Sequence, residues 1–300
     1  MCDHDSMDDM IQYQPKSGQM SRRHFGAVTL GAGLAASLLP RPAGAAWIEE
    51  GEVDIKTPDG TADAYFVHPG EGKSPGVVMW PDIFGLRPAF RHMGRRLAEA
   101  GYAVLVPNPF YRTKRAPTAP ENPDFNDPPT RDALMALMNS LTPVAVVTDA
   151  RAFVGWLDAQ TAVDRKRRIG TMGYCMSGSY TMRAAAALPE RIGAGASFHG
   201  GGLVTDKPDS PHLLIPNIKA QFLLAIAEND DKRQPEAKSV LRDAFARANV
   251  PAEVEVYAGA MHGWCPPDSH VYNDAQAEKA WSRMLALFKT TLAGPAAKAA

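Results

Sequence analysis

The chain has 300 residues, of which 45% are hydrophobic and 22% are charged, and its formal net charge at pH 7 is −1. These values are ordinary for a globular protein, and the charge gives no reason to expect nucleic acid or a membrane surface as a partner. No repeat of about 20–50 residues is visible, which argues against a solenoid or a propeller. The three cysteines, Cys2, Cys175 and Cys265, are too few for a disulfide framework, and their spacing fits no zinc motif.

Residues 1–45 have the pattern of an export signal. Ser21–Phe25 (SRRHF) resembles a twin-arginine motif, and it precedes an apolar segment, Gly26–Leu39, that is too short to span a bilayer. Ala43–Ala45 then supplies an A-x-A cleavage site, so the mature chain is predicted to begin at Ala46. We therefore expect a periplasmic protein, folded before transport, with no stable membrane anchoring after cleavage. The alternative is a cytosolic protein with a disordered tail.

The first part of the mature chain alternates predicted strands with a helix. Strands are predicted at Glu52–Thr57 and Ala62–His68, on either side of a Pro-Asp-Gly turn signal. The continuous apolar run Gly76–Trp80 is typical of a strand buried in a parallel sheet. A helix over Arg87–Gly101 and a strand over Tyr102–Val106 complete a predicted βαβ unit.

The rest of the chain continues the alternation. A proline-rich segment, Pro107–Pro129, is predicted to be a loop or a short lid over the carboxyl edge of the sheet. Further strands are predicted at 168–172, 194–198, 221–227 and 252–257, and helices at 131–140, 144–159, 179–188, 236–248 and 274–292. No break separates a second domain. We expect one α/β domain over residues 46–300, with a mostly parallel central sheet and helices on both faces.

The six residues Gly173–Gly178 (GYCMSG) lie between a predicted strand and a predicted helix. This layout is typical of a nucleophile elbow, in which small residues flank a Ser or Cys held in a strained turn. The N–H groups at the start of the following helix would favour a thiolate at Cys175 and the oxyanion of an acyl intermediate. Ser177 stands where the usual pattern has glycine. The alternative interpretation is a buried structural cysteine.

Two further candidates follow strand ends, where open α/β sheets place their reactive groups. The chain order Cys175, Asp230, His262 is the order nucleophile, acid, histidine of α/β-hydrolases. His262 would take the thiol proton and later activate water, and Asp230 would hold the imidazole in the required tautomer. Asp231 competes for the acid role, and Asp230 is favoured because it lies nearer the end of the preceding strand.

Two other residues are weighed against this assignment. His199 also follows a predicted strand, but it precedes both acid candidates, so we interpret it as a supporting or structural histidine. Cys265 lies three residues after His262 and is interpreted as structural. A disulfide between Cys175 and Cys265 is conceivable in an oxidising periplasm and would abolish the proposed activity.

These segments resemble the dienelactone hydrolase family of α/β-hydrolases over nearly all of the mature chain. The resemblance is carried by Asp82–Gly85, Pro107–Arg112, Gly173–Cys175, Ala227–Asp230 and Gly259–Gly263. It implies an eight-stranded, mostly parallel sheet and a triad of Cys175, His262 and Asp230. It also implies an oxyanion hole formed by the backbone N–H groups of Ile83 and Met176. No metal and no organic cofactor is implied.

The resemblance implies roles for two more residues. Asp82 stands where the family has a glutamate that pairs with the resting thiol; otherwise it is a loop carboxylate or a helix cap. Arg112 matches an arginine that binds the substrate's carboxylate, a role that suits a bidentate guanidinium, and otherwise it is a solvated loop arginine. The family's second carboxylate-binding arginine is missing, and Trp264–Pro267 stands in its place.

The expected function is hydrolysis of a dienelactone-like lactone or a carboxylic ester through a cysteinyl acyl-enzyme. One alternative is a periplasmic carboxylesterase or thioesterase of broad specificity, with Trp264 and the Pro107–Pro129 loop shaping an apolar acyl pocket. Another is a catalytically silent binding protein on the same scaffold. A thiol redox protein is a third, although the chain has no Cys-x-x-Cys motif. The sequence leaves the oligomeric state open and is compatible with a monomer.

Overall fold

The computed structural model describes residues 47–293, apart from residues 122 and 124, so the predicted export signal at 1–45 lies outside the described residues. Within this range the chain forms an eight-stranded sheet with the order β1-β2-β4-β3-β5-β6-β7-β8. The strands are β1 Ile48–Thr57, β2 Gly60–Pro69, β3 Gly76–Trp80, β4 Ala103–Pro107, β5 Ile169–Tyr174, β6 Ile192–Phe198, β7 Gln221–Ala227 and β8 Ala252–Tyr257.

The sheet is mostly parallel, as predicted. Strands β1 and β2 form an antiparallel hairpin, and β2 pairs antiparallel with β4. All the other neighbours pair in parallel, including β3 with β4, which the helix α1 connects. The carboxyl ends of β3, β5, β6, β7 and β8 therefore meet at one edge, which is where an open α/β sheet places its reactive groups.

The helices are α1 Pro88–Glu99, α2 Pro128–Asn139, α3 Pro143–Ala159, α4 Gly178–Ala187, α5 Glu228–Arg233, α6 Ala237–Arg247 and α7 Asp274–Thr291. Short 3₁₀ turns occupy Cys175–Ser177 and Pro211–Asn217. Three of the helices begin with proline at the first position, where its missing N–H costs nothing. Over residues 47–293, no single helix has the length and apolarity needed to cross a membrane; α2 and α3, bent by 73°, pass that test only as a pair.

Helices cover both faces of the sheet, and two apolar clusters result. Side chains alternate between the faces along a strand, so Val77 and Met79 of β3 join one cluster while Val78 and Trp80 join the other. The first cluster packs against α1 and α7, and the second packs against α2, α3, α4 and α6. Burial on both faces explains why the strands read as continuous apolar runs.

Two helical segments differ from the sequence predictions. Helix α2 begins at Pro128, inside the predicted Pro107–Pro129 loop, because Asp127 caps it by accepting a hydrogen bond from the Thr130 N–H at 3.1 Å. Helix α5 is absent from the sequence predictions. Its six residues carry acidic side chains in the first turn and basic ones in the last, an arrangement that favours a helix through its dipole.

The turn between β5 and α4 has no room for side chains at its two glycines. A Cβ atom at Gly173 would lie 2.2 Å from the backbone oxygen of Ser177. A Cβ atom at Gly178 would lie 2.4 Å from Ser197 Oγ and 2.5 Å from Gly200 Cα. Real Cβ contacts are essentially never this short, so the close crossing of strand and helix requires glycine at both positions.

We predict that Gly173→Ala lowers the free energy of unfolding by about 3 kcal/mol or more, because the backbone of the turn must shift to admit the methyl group. Chemical denaturation measures the loss. Gly155→Ala is the matched control, since Gly155 lies in α3 and an added methyl group there would meet nothing within 4 Å. That change should instead stabilise the helix by about 0.5–1 kcal/mol. Equal effects of the two substitutions would contradict the steric account.

Candidate active site

Cys175 lies in a strained turn between β5 and α4. Its φ of 56° is in the left-handed region, which is costly for a residue with a side chain. The residue begins the 3₁₀ turn Cys175–Ser177, which leads directly into α4. The side chain is 4% exposed. Cys175 thus has the backbone geometry of a nucleophile elbow, with the start of a helix behind it.

Ser177 explains how the elbow accommodates a residue other than glycine. The Ser177 hydroxyl oxygen accepts a hydrogen bond from the Tyr174 N–H at 2.9 Å. The same hydroxyl lies 2.8 Å from the carbonyl oxygen of Trp80, at the end of β3, and 3.0 Å from that of Tyr174. Ser177 is fully buried. Its side chain therefore fastens the turn to the neighbouring strand.

His199 supports the elbow from the end of β6. Its Nδ1 accepts a hydrogen bond from the Cys175 N–H at 3.1 Å, so the ring's proton must sit on Nε2. Burial, and then the charge of His262, lower the pKa of His199 well below its ordinary value. The ring is therefore neutral, and it packs edge-on against the rings of His262 at 5.0 Å and Trp264 at 5.2 Å. The structure thus places His199 as a support for both Cys175 and His262.

His262 and Asp230 are in direct contact, although 32 residues separate them in the chain. Nδ1 of His262 lies 2.7 Å from Oδ2 of Asp230. The histidine is buried, with 1% of its side chain exposed, and the aspartate is 18% exposed. Buried pairing of this kind fixes both the tautomer and the orientation of the ring.

The protonation of His262 is controlled by its two partners. Burial lowers the pKa of His262, but the charge of Asp230, the charge of Cys175 and their hydrogen bonds to the ring outweigh it. The pKa of His262 is consequently raised well above its ordinary value. The protonated form of the ring is therefore favoured, with the Asp230 carboxylate as its hydrogen-bond partner at Nδ1.

The structure separates the two competing aspartates. Both carboxylate oxygens of Asp231 accept hydrogen bonds from Nζ of Lys238, at 2.7 and 2.8 Å, so Asp231 faces away from the histidine. Asp230 is the carboxylate that contacts His262.

Two residues that the sequence analysis did not single out hold the histidine loop. Oδ1 of the buried Asn229 accepts a hydrogen bond from the His262 N–H at 2.8 Å. The Glu228 N–H donates a hydrogen bond to the Ala260 carbonyl at 2.8 Å. The Glu228 carboxylate accepts a hydrogen bond from the Gly259 N–H at 2.6 Å. These hydrogen bonds join the segment that carries Asp230 to the loop that carries His262. Their position in the sequence could have identified both residues, because they lie between the buried strand β7 and Asp230.

The two residues expected to form the oxyanion hole lie just after the end of β3 and just after Cys175. Ile83 follows β3 and is 1% exposed, and Met176 directly follows Cys175 and is 4% exposed. Neither backbone N–H is used in a turn or loop hydrogen bond within the described residues. Ile83, Met176 and Cys175 belong to one buried apolar cluster.

Asp82, the residue that the resemblance pairs with the resting thiol, is bonded to an arginine. Its Oδ1 and Oδ2 accept hydrogen bonds from Nη1 and Nη2 of Arg87, at 2.6 and 3.0 Å. Oδ1 also accepts the Phe84 N–H at 3.0 Å. Asp82 is therefore a buried structural carboxylate that shapes the turn containing Ile83.

Arg112, the residue that the resemblance assigns to the substrate's carboxylate, is bonded to two carboxylates of the protein itself. Nη1 and Nη2 of Arg112 donate to the buried Asp149, at 2.8 and 2.7 Å, and Nε and Nη2 donate to Asp59, at 3.0 and 2.6 Å. Asp149 also accepts a hydrogen bond from the Tyr111 hydroxyl at 2.8 Å. All three guanidinium nitrogens are thus committed to carboxylates of the protein, so Arg112 does not present them to a substrate.

Trp264, which the alternative esterase hypothesis places at an acyl pocket, lies in the interior of the protein. Its side chain is fully buried, stacked on Tyr257 at 5.4 Å and packed against His199. The neighbouring Cys265 is also buried and forms no disulfide with Cys175. Burial raises the pKa of the Cys265 thiol well above its ordinary value, which keeps it protonated. Cys265 lines a cavity of about 240 Å³ between α1 and α7, on the opposite face of the sheet from the cluster around Cys175.

Cys175 belongs to a large buried apolar cluster. The same cluster contains Phe125 and Leu203. Phe125 belongs to the Pro107–Pro129 segment, and its ring contacts that of Phe84 edge-on at 6.5 Å, next to Ile83. The predicted loop therefore reaches the turn that contains Ile83. A small cavity of about 40 Å³ adjoins Asp230, with Leu203 in its wall.

The sheet order, the cysteine elbow at the end of β5 and the histidine–aspartate pair beyond β7 and β8 together define an α/β-hydrolase. The sequence profile of the dienelactone hydrolase family matches residues 62–292. The chain belongs to the dienelactone hydrolase family, and its predicted fold is confirmed.

Named relatives agree with this assignment. The chain is 28% identical to a carboxymethylenebutenolidase of Rhodococcus opacus, over 79% of this chain and 90% of that protein. It is 29% identical to a putative carboxymethylenebutenolidase of Escherichia coli strain K12, over 85% of this chain and 92% of that protein. The crystal structure of a putative dienelactone hydrolase from Klebsiella pneumoniae has a similar fold, with a TM-score of 0.70, 24% identity and coverage of 81% and 99%.

The described residues contain no group of three or more His, Cys, Asp or Glu side chains that could hold a metal ion.

We predict that Asp230→Asn lowers kcat by about 10³–10⁴-fold, because the amide leaves the imidazole without its charged partner and in the wrong tautomer. Steady-state hydrolysis of an ester measures the loss. Asp231→Asn is the matched control, one residue along, and it should keep kcat within about threefold of the wild type. A larger loss in Asp231→Asn than in Asp230→Asn would overturn the assignment of the acid.

Proposed function

We propose that this protein hydrolyses a carboxylic ester or a lactone through a thioester at Cys175. The observation that carries the proposal is the buried His262, which lies 2.7 Å from Asp230 and whose pKa is raised by both Asp230 and Cys175. A protonated imidazole between a thiolate and a carboxylate is the arrangement that an acyl transfer needs. The relatives named carboxymethylenebutenolidase support a lactone as one class of substrate.

The acylation half of the reaction follows from the positions of these groups. The Cys175 thiolate attacks the carbonyl carbon and forms a C–S bond, and the carbonyl π electrons move to oxygen. The backbone N–H groups of Ile83 and Met176 bind this oxyanion. As the intermediate collapses, the C–O bond breaks and His262 gives its proton to the leaving alkoxide. In a lactone the new hydroxyl stays attached to the acyl group.

Deacylation reverses the roles. Neutral His262 takes a proton from water, whose oxygen attacks the thioester carbon and forms a second oxyanion in the same site. Collapse of this intermediate breaks the C–S bond and releases a carboxylic acid, while the thiolate and the imidazolium re-form. Asp230 stabilises the imidazolium in both halves and holds the ring toward the sulfur.

A second candidate is an esterase for neutral acyl groups, and one observation favours it. The guanidinium of Arg112 is bonded to Asp59 and Asp149, which leaves no arginine at this position to bind a substrate carboxylate. Leu203 lies in the wall of the small cavity beside Asp230, which places an apolar side chain near the proposed site. A substrate panel separates the two candidate functions. It compares p-nitrophenyl butyrate, which is neutral, with a butenolide that carries a carboxylate.

We predict that the wild-type protein hydrolyses at least one member of such a panel and that Cys175→Ser lowers kcat/KM by at least about 10³-fold, because the nucleophile is lost. Cys265→Ser is the matched control. Its thiol is buried on the other face of the sheet, so its activity should stay within about threefold of the wild type.

The other outcomes discriminate the remaining alternatives. A folded wild-type protein that binds a member of the panel without turnover would indicate a binding protein on a hydrolase scaffold. Turnover that survives in Cys175→Ala, which has neither a thiol nor a hydroxyl at this position, would show that another group is the nucleophile. Loss of turnover in Cys265→Ser alone would move the site to the opposite face.

We also propose that the protein is exported to the periplasm. The twin-arginine motif at Ser21–Phe25, the apolar segment and the A-x-A site support this localisation. Cell fractionation with mass determination tests it, with a periplasmic chain beginning at Ala46 as the expected result. An uncleaved chain confined to the cytosol would contradict it.

A further inference from the structure

A partly buried arginine lies between the turn that contains Ile83 and the loop that follows His262. Arg87 precedes α1, and its side chain is 13% exposed. Nη1 and Nη2 form a fork on Asp82, at 2.6 and 3.0 Å. Nε and Nη2 form a second fork on Asp268, at 2.7 and 3.0 Å. One guanidinium thus joins two carboxylates that lie 186 residues apart in sequence numbering, with Asp82 at the end of β3 and Asp268 beyond β8.

The Asp82 end of this bridge is tied to the backbone around Ile83. The Asp82 carboxylate accepts the Phe84 N–H at 3.0 Å, and the Asp82 carbonyl accepts the Gly85 N–H at 2.9 Å. These bonds close a tight turn with Ile83 inside it. The guanidinium also lies over the Phe84 ring, with 5.4 Å between Cζ and the ring centroid, so it contacts the turn from two sides.

The Asp268 end belongs to the loop that begins with His262. This loop is anchored at its start, where the His262 N–H donates to Asn229, and near its end, where the Asn273 N–H donates to the Trp264 carbonyl at 3.1 Å. Asp268 lies between these anchors, and its side chain is 40% exposed. Arg87 therefore connects the turn of the oxyanion residue to the loop of the catalytic base.

We propose that Arg87 is a positioning residue: by holding Asp82 and Asp268 together, it fixes the Ile83 N–H relative to His262 and Cys175. This inference rests on the proposed hydrolytic function. A paired guanidinium is suited to the task because its five donors have a fixed planar geometry and its charge is permanent. Loss of Arg87 would leave Asp82 buried without a cation, and the turn would move to rehydrate it.

The expected catalytic effect follows from the sensitivity of oxyanion stabilisation to geometry. Removing one oxyanion donor costs about 10²–10³-fold in kcat, and misplacement by about 1 Å costs about 10²-fold. The thiol and its contacts with His262 lie outside the bridge. Arg87 should consequently affect kcat while leaving the reactivity of Cys175 toward a small alkylating agent unchanged.

The test compares Arg87→Met, Arg87→Lys and Asp268→Ala with the wild-type protein. We expect Arg87→Met to lower kcat on p-nitrophenyl acetate by about 10–100-fold, with KM and the rate of Cys175 alkylation by iodoacetamide within about threefold of the wild type. Arg87→Lys keeps the charge but loses the fork, so part of the rate should return. Asp268→Ala removes only the exposed end of the bridge. It serves as the second variant in case Arg87→Met does not fold.

Arg96→Met is the matched control. Arg96 lies in α1, the helix that Arg87 precedes, and makes the same kind of fork, to Glu278 at 2.7 and 2.6 Å, while stacking on Trp281 at 4.5 Å. These hydrogen bonds and this ring contact go to α7 and not to either of the two loops that Arg87 connects. Its kcat should stay within about threefold of the wild type, which separates the loss of a positioning contact from the loss of a salt bridge in general.

Hydrogen exchange supplies a readout that does not depend on turnover. Asp268→Ala alters only the histidine loop, yet it should speed amide exchange in residues 82–86 at least about tenfold. Unchanged exchange there, an unchanged kcat in both Arg87→Met and Asp268→Ala, or an equal loss in Arg96→Met would overturn the inference. Parallel losses of kcat and alkylation would also overturn it, by placing the effect on the thiol. A wild-type protein without esterase activity would refute the proposed function, while the exchange result would still decide the bridge.

Discussion

The left-handed backbone of Cys175 is the constraint on which the site depends. A residue with a Cβ pays about 1–2 kcal/mol for this conformation, so the surrounding structure must enforce it. Three kinds of contact do so: Gly173 and Gly178 give the turn room, Ser177 bonds it to the end of β3, and His199 accepts the Cys175 N–H. The consequence of this conformation is that Cys175 lies at the start of a helix, beyond the carboxyl edge of the sheet.

The other reacting groups reach Cys175 because the parallel strands end together. Asp230 comes from the end of β7 and His262 from the loop after β8, and direct hydrogen bonds join these two segments before any substrate is present. Arg87 adds a link from the same loop to the turn that contains Ile83. Strand ends are rigid, and hydrogen bonds hold the loops that follow them. The site is therefore preorganised, and its groups need little rearrangement during the reaction.

Much of this arrangement could be predicted from the sequence because it depends on local patterns. Buried strands appear as apolar runs, and β3, β7 and β8 have the predicted limits. The chain order of cysteine, aspartate and histidine can also be read from the sequence, and the structure brings Asp230 rather than Asp231 to the histidine. What could not be predicted depends on distant partners. Arg112 is bonded to Asp59 and Asp149, and Arg87 is bonded to Asp268, and no local pattern reveals such pairs.

The most direct measurement is a search for the acyl-enzyme. Wild-type protein is mixed with p-nitrophenyl butyrate, quenched in acid within the first turnovers and digested for mass spectrometry. The account predicts that the peptide containing Cys175 gains the mass of one butyryl group and that the peptide containing Cys265 does not. Steady hydrolysis of the ester with no adduct at Cys175, or with an adduct on another residue, would contradict it.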